Sequence, residues 1–218
     1  MTNHDKRVKI EEMEVYEMAE RKVQQRTIES REKINQAALT LFSEKGYYNT
    51  NTKEIAKLAG VSVGNFYNYY KDKGEAYSTL MRIYLEGSTD AVKQLSESLV
   101  TTKNPREMFA EYIHKQMERA ASAGDFFRDN DVILRDNEPM QQLFAEAVTR
   151  MVYIIEELLR QMDGVVKRAS YSVMARLIYT MVNETTQDII SFYGTEMYDE
   201  YLTQFILVIQ NYMFGEKK

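Results

Sequence analysis

The stretch from Asn65 to Lys71, NFYNYYK, brings amide, phenol and amine groups together in one short run. Phe66 and Tyr70 lie four residues apart, a spacing that places both on the buried side of one helix. Amides can read base edges, whereas hydroxyls and amines suit phosphate oxygens. The run therefore predicts a helix that presents polar side chains to double-stranded DNA, through Asn65, Tyr67, Asn68, Tyr69 and Lys71. A tyrosine-rich helix with a purely structural role, buried on one side and solvated on the other, has the same pattern. The surrounding residues are therefore needed to distinguish the two interpretations.

The preceding residues predict the elements that position this run. Thr52 is a plausible N-cap of a helix that should end at Ala59. Gly60 can adopt the left-handed conformation that a helix C-terminus often needs, and Ser62 then caps a second helix. The slim pair Val63-Gly64 lets the first turn of that second helix approach a ligand closely. Two helices joined by a turn of this length form the helix-turn-helix arrangement.

Composition limits the classes of protein that remain. The 218 residues, 44% of them hydrophobic, are enough for a real core, and only two prolines and nine glycines interrupt the helix-forming sequence. Cysteine is absent, which excludes disulfides, thiolate metal sites and cysteine nucleophiles. Neither a secretory signal nor a long apolar span is visible, so we expect a cytoplasmic protein with no membrane role.

Charge is distributed unevenly along the chain. Between Arg21 and Arg82 there are eleven Lys and Arg against six Asp and Glu, a local net charge of +5. Because the whole chain carries −5, the remainder carries −10. Distant acidic groups are screened within roughly 10 Å, so the local field governs contact with phosphate. The charge pattern indicates a basic DNA-binding part and an acidic part with another role.

The run from Arg31 to Lys73 resembles the N-terminal domain of the tetracycline-repressor (TetR) family of bacterial transcription regulators. The resemblance rests on an ordered set of residues: Ile34, Ala37, Ala38, Leu41, Phe42, Gly46, Thr52, Ile55, Ala56, Ala59, Gly60, Val61, Phe66, Tyr67, Tyr69, Tyr70, Lys71 and Lys73. The chain departs from the family pattern at Gly74, where glutamate is usual, and at Val63, which is often lysine or another polar residue. The residues expected to bind DNA are Thr52, Ser62, Val63, Gly64, Asn65, Tyr67, Asn68, Tyr69, Lys71 and Lys73.

We therefore expect an all-α protein. A three-helix helix-turn-helix DNA-binding domain should occupy residues 28–74 and join a larger helical effector-binding and dimerisation domain at residues 75–218. Residues 1–27 form an N-terminal extension, for which a solvated, partly disordered tail is favoured over a helical arm that reaches DNA. Pro105 and Pro139 should each begin a helix. The last two helices are expected at residues 169–193 and 195–214.

The last two helices carry apolar residues over more than one face. A helix of this kind buries one side in its own subunit and a second side elsewhere, so dimerisation is the economical explanation, with burial inside a larger monomer as the alternative. The resemblance implies a homodimer that presents two reading helices to a palindromic operator. The expected dimer-interface residues are Met174, Ile178, Val182, Tyr201, Phe205, Val208 and Ile209.

The resemblance also implies a pocket for a small effector in the larger domain. Methionine and tyrosine make adaptable, partly polar walls, which favours an apolar or aromatic compound. The expected lining residues are Tyr84, Met117, Phe126, Phe127, Phe144, Met151, Tyr179 and Asn183. Each of them has a competing interpretation as ordinary core, or, for Asn183, as a residue of the exposed face.

Two other functional classes, an enzyme and a protein-binding adaptor, compete with a regulator. Only two histidines are present, His4 and His114, so no histidine-based metal cluster or catalytic triad can form, and no glycine-rich phosphate loop is present. We expect no catalytic residues, no metal site and no cofactor. A helical adaptor that binds protein through the C-terminal helices and uses no effector remains the alternative. The favoured prediction is a one-component regulator, a repressor that an effector releases from its operator.

Overall fold

The computed structural model describes residues 3–122, 124–135, 137–189, 192 and 194–215, with side chains from Gln24 onward apart from Ser122 and Gln187. Regular structure within these ranges is helical, with no strand, which confirms the expected all-α class. The helices are α1 (Asn3–Lys45), α2 (Thr52–Ala59), α3 (Val63–Tyr67), α4 (Lys73–Thr101), α5 (Pro105–Ser122), α6 (Asn130–Arg135), α7 (Glu138–Gln161), α8 (Tyr171–Ile189) and α9 (Glu196–Phe214), with a 3-10 turn at Gly124–Phe127.

Helix α1 begins far earlier than expected. The favoured interpretation of residues 1–27 was a partly disordered tail, but α1 is continuous from Asn3 to Lys45, as the helical-arm alternative requires. The physical reason is composition: this segment contains no glycine or proline and is rich in Glu, Lys, Arg and Met, which all favour helix. The first glycine, Gly46, follows the last residue of α1 and has a φ of 81°.

The chain divides into two units, Met1–Leu80 and Met81–Lys218, so the division falls inside α4 and beyond the expected boundary at Gly74. The core of the first unit combines α1, α2 and α3 with the first turns of α4. The ring of Tyr77, on α4, packs edge-on at 5.4 Å from the ring of Phe42, on α1. The buried hydrophobic residues of this unit are Ile34, Ala37, Ala38, Leu41, Phe42, Ile55, Ala56, Ala59, Phe66, Tyr70, Ala76, Tyr77 and Leu80.

The second unit is a helical assembly in which α7 packs closely on α8. Its core draws on α4, α5, α7, α8 and α9, for example through Leu99, Ile113, Leu159 and Leu202. Arg168 donates hydrogen bonds to the carbonyl oxygens of Tyr212 and Asn211 and so satisfies the last turn of α9. No helix in the part of the chain that the structure describes combines the length and apolar character needed to cross a membrane.

The structure changes which face of α8 and α9 is available to a partner. Of the residues expected at a dimer interface, Met174, Ile178, Phe205 and Ile209 are buried in the core of the same chain. Val182 is half-buried, and only Tyr201 and Val208 are exposed. Sequence periodicity shows two apolar faces but not which one turns inward. The exposed apolar residues on these helices are Val173, Leu177, Met197, Tyr201, Leu207 and Val208.

Candidate nucleic-acid interface

Helix α2 begins with a reciprocal cap. The Asn51 side chain accepts a hydrogen bond from the Glu54 backbone N–H at 3.0 Å, and the Glu54 carboxylate accepts one from the Asn51 N–H. This capping box corrects the prediction for Thr52, which is the first residue of the helix rather than its cap. Glu54 also pairs with Lys45 at 2.8 Å, and this hydrogen bond lowers the pKa of the Glu54 carboxyl below its usual value.

The turn between α2 and α3 has the predicted chemistry. Gly60 has φ 68° and ψ 30°, the left-handed conformation that a side chain would disfavour. The Val61 N–H then donates to the Ala56 carbonyl at 3.0 Å, which closes the end of α2. Ser62 caps α3, since its hydroxyl accepts from the Asn65 N–H at 3.0 Å. The structure confirms the predicted turn conformation of Gly60 and the predicted N-cap role of Ser62. The Ser62 hydroxyl is used to cap its own helix.

Helix α3 is shorter than expected and ends at Tyr67, with Asn68 as its C-cap. Phe66 and Tyr70 are both buried as predicted, although Tyr70 lies beyond the helix, where its hydroxyl donates to the Asn35 side chain. This anchoring turns Tyr67 and Asn68 outward.

Residues on the outer side of α3 differ in their hydrogen bonds and in their exposure to solvent. The Tyr67 hydroxyl lies 3.2 Å from the Thr52 hydroxyl, so Thr52 positions Tyr67. Asn68 donates to the Asn65 side chain at 3.4 Å. The exposed members of the expected DNA-binding set are Ser62, Val63, Gly64, Tyr67, Asn68 and Lys71, whereas Thr52, Asn65 and Tyr69 are half-buried.

Lys73 is the clearest departure from the expected DNA-binding set. Its ammonium group donates to the carbonyl oxygens of Tyr47 and Thr50, both at 2.8 Å, and of Tyr48 at 3.3 Å. It also lies 4.5 Å from the centre of the Tyr47 ring. An ammonium group has three N–H donors, and here they are directed at the loop between α1 and α2. Lys73 therefore holds that loop in place and is not available for a phosphate.

The unusual Gly74 has a local explanation. Asp72 caps α4, since its carboxylate accepts from the Glu75 N–H at 2.9 Å. A Cβ atom at Gly74 would lie 3.0 Å from that carboxylate oxygen and 3.1 Å from the Tyr47 hydroxyl. Both distances are tighter than ordinary contact, so glycine leaves room for the cap and for the Tyr47 ring.

The residues expected to line an effector pocket are only partly brought together. The ring centres of Tyr84 and Phe127 are 4.6 Å apart, and Phe126 lies 5.1 Å from Phe127. Burial raises the pKa of the Tyr84 and Tyr179 phenols above its usual value. Met117, Phe126 and Met151 are buried core, and Phe144 is half-buried.

Asn183 does not fit a pocket wall. It is exposed, and its amide donates to the adjacent Glu184 carboxylate at 3.1 Å. A groove of the second unit lies between α8 and α9, has a volume of about 480 Å³, and includes none of the expected lining residues. In the described part of the chain, no three His, Asp or Glu side chains come together as metal ligands.

A capped helix, a glycine turn and a short second helix with an exposed polar side define a helix-turn-helix DNA-binding domain. The family model described as "Bacterial regulatory proteins, tetR family" matches residues 34–75. Residues 34–75 therefore match the DNA-binding domain that this family model describes.

Similarity beyond that domain is lower but extends along the chain. The "Uncharacterized HTH-type transcriptional regulator YerO" of Bacillus subtilis is 28% identical over 161 residues, which cover 71% of this chain and 55% of that protein. This chain thus matches about half the length of that relative.

Two solved structures share the fold across nearly their whole length. A putative TetR-family transcriptional regulator from Mesorhizobium loti, 16% identical, covers 87% of this chain and 98% of its own, with a TM-score of 0.68. FadR from Bacillus subtilis in complex with stearoyl-CoA, 19% identical, covers 85% of this chain and 98% of its own, with a TM-score of 0.61. At these identities the likeness concerns the fold alone.

Proposed function

We propose that this chain is a cytoplasmic, homodimeric transcription regulator that binds a palindromic operator and acts as a repressor released by a small effector. One observation carries the DNA-binding part: Phe66 and Tyr70 are buried while Tyr67 and Asn68, between them, are exposed. That arrangement offers an amide for base edges and a hydroxyl for phosphate from one rigid turn. Lys71, also exposed, supplies a positive charge beside them.

The proposed dimer uses the outer face of α8 and α9. Val208 on α9 and Val173 on α8 are 57% and 50% exposed, and several such exposed apolar residues on two packed helices indicate a surface that a partner covers. A second copy of the same face would cover them in a two-fold interface, including the groove between the helices. Such symmetry presents two α3 helices at a spacing of about one DNA turn, ~34 Å, which is why the operator should be palindromic. The groove is lined by Met181, Thr185, Met197, Glu200, Tyr201, Gln204, Phe205 and Val208.

The proposed effector is a small apolar or aromatic compound bound in the second unit. The solved FadR structure with stearoyl-CoA shows a ligand of partly apolar character in a protein of the same fold. In this chain, Tyr84, Phe127 and Tyr179 are half-buried and give an adaptable wall. An effector releases DNA only if it binds the DNA-incompetent state more tightly, and such coupling is typically about 1–3 kcal/mol.

Selection of bound duplexes from a random DNA pool by the full chain tests this function. We expect an enriched palindrome with two half-sites, lost by Asn68→Ala at particular positions and unchanged by Asn183→Ala, an exposed asparagine in the other unit. Enrichment of a single half-site would contradict the dimer. No enrichment at low salt would contradict DNA reading and favour the effector-free protein-binding adaptor.

A further inference from the structure

Arg119, on α5, occupies an unusual position against α4. Its guanidinium Cζ lies 5.0 Å from the centre of the Tyr84 ring, and Nη2 donates to the Tyr84 carbonyl oxygen at 3.1 Å. Gly87 makes room for it, since a Cβ atom there would lie 2.9 Å from Nη2. The guanidinium therefore rests directly on the backbone of α4.

This charge is poorly compensated where it lies. Arg119 is half-buried, yet it makes no ion pair with any carboxylate in the described ranges, whereas Arg128 and Arg160 each pair with an acidic neighbour on the same segment. The Tyr84 carbonyl that it contacts already accepts from the Ser88 hydroxyl at 2.9 Å. A guanidinium has five N–H donors, and withdrawing its charge from water is unfavourable without a partner.

Aromatic side chains lie close to Arg119. Phe127 packs edge-on against the Tyr84 ring, with the ring centres 4.6 Å apart, and the positive charge of Arg119 acts to lower the pKa of the nearby Tyr112 phenol. Burial outweighs that effect and raises the pKa of Tyr112 to about 12, so this hydroxyl stays protonated and can donate a hydrogen bond. A cation, neutral phenols and apolar rings together match an organic anion with an apolar body.

We propose that Arg119 binds the carboxylate or phosphate of a small organic anion, whose apolar part lies against Tyr84 and Phe127. The anion replaces the Tyr84 carbonyl as the partner of the guanidinium, which removes a tie between α5 and α4. This inference rests on the proposed function in one respect: the anion is the effector of the regulator. It adds to that function a required negative charge and the residue that recognises it.

Calorimetric titration of the full chain, without DNA, tests the anion site. The probes are 4-phenylbutyrate, 4-phenylbutyl phosphate and the neutral 4-phenylbutanamide. We expect at least one anion to bind the wild type roughly tenfold more tightly than Arg119→Gln, as a charge-assisted hydrogen bond requires. The amide should not distinguish the two proteins. Arg150→Gln, at an exposed arginine of α7, is the matched control and should bind as the wild type does.

The stronger of the two anions identifies the head group as carboxylate or phosphate. Equal affinity of wild type and Arg119→Gln for both anions, or no binding of either, overturns the proposal. Because the titration contains no DNA, its result is independent of the DNA selection. If the selection yields a palindrome but Arg119→Gln binds the anions as tightly as the wild type does, only the inference about Arg119 is contradicted.

A second variant distinguishes recognition from simple bracing. Arg119→Met keeps the packing stem and removes the charge. A residue held for ligand recognition should be replaceable without loss of stability in the free protein, so we expect an equal or higher melting temperature. A decrease of about 4 °C or more would show that the bond to the Tyr84 carbonyl is a structural brace, and would overturn the proposal.

Discussion

The ammonium group of Lys73 donates a 2.8 Å hydrogen bond to the carbonyl oxygen of Tyr47, and so the first residue of α4 fixes the loop that precedes α2. Thr50, at the other end of that loop, is buried and receives the same ammonium group on its carbonyl. The position of α2, and with it that of α3, therefore depends on a lysine whose ammonium group is bound to the backbone of this loop.

Lys73→Met should reduce the stability of the fold. Hydrogen bonds from a charged donor contribute about 1.5–3 kcal/mol, so we expect a loss of about 2–3 kcal/mol in the free energy of unfolding by urea. Lys71→Met is the matched control, because Lys71 is exposed. It should leave stability unchanged and lower the slope of log affinity against log salt by about 0.9, the value for one phosphate contact. If Lys73→Met instead lowered the salt slope and left stability unchanged, Lys73 would be a phosphate contact rather than a brace of the loop.

Asn51→Ala should destabilise the first unit by about 1 kcal/mol, the usual effect of losing an N-cap. The reason is that the Asn51 side chain satisfies the Glu54 N–H at the start of α2. Thr52→Ala should leave the urea midpoint nearly unchanged and weaken DNA binding instead, because its hydroxyl contacts Tyr67 rather than the helix end. Equal destabilisation by both substitutions would contradict this division of roles.

Asn68→Ala should lower affinity for the selected operator by ~1–3 kcal/mol and relax the preference at particular base pairs, because its amide is exposed beside α3. Competition against operators with single base changes measures this. A uniform loss of affinity for random duplexes as well would identify Asn68 as a phosphate contact rather than a base reader.

Val208→Asp should convert the proposed dimer to a monomer without unfolding the chain, because the Val208 side chain is exposed within its own chain. Sedimentation analysis gives the mass, and operator affinity should fall along with dimerisation. Val132→Asp, at an exposed valine on α6, is the control and should remain dimeric. A monomeric wild type, or a dimeric Val208→Asp, would place the interface elsewhere.

Tyr112 predicts a specific response to alkaline pH. The phenol has a pKa of about 12 in the fold and 10.0 when unfolded, so between these values the unfolded chain binds fewer protons. Stability linked to Tyr112 is therefore fully present below pH 10 and decreases as pH rises toward 12, by up to about 3 kcal/mol. Urea unfolding from pH 9 to 11.5 should show a shallower decrease for Tyr112→Phe than for wild type. Tyr153→Phe, at an exposed tyrosine, should follow the wild type.

Sequence alone predicted the parts of the site that local chemistry decides. Gly60 and Ser62 were identifiable because a left-handed turn and an N-cap each need particular residue types close in sequence. Asn51 was missed because Asn and Thr stand side by side and both are good caps. The role of Lys73 was not predictable, since its partners lie more than twenty residues earlier and are backbone atoms.

Contacts between residues distant in sequence also decide the parts of the second unit that the sequence did not predict. Periodicity identified α8 and α9 as doubly apolar, but the inward choice of Met174 over Val173 depends on how α7 packs against α8. Arg119 gave no sequence signal either, because a lone arginine on a helix is normally solvated. Its significance comes from Tyr84 and Gly87, which only the fold brings to it.

The first turns of α4 have a consequence for exchanging parts between regulators. Because Tyr77 packs on Phe42 and Leu80 is also buried in the first unit, the reading head includes residues well past the end of its helix-turn-helix. A hybrid that grafts this head onto another sensor at Gly74 would leave its core open and expose Phe42. A hybrid joined after Leu80 transplants a complete core, so the choice of junction by itself should decide whether such a chimera folds.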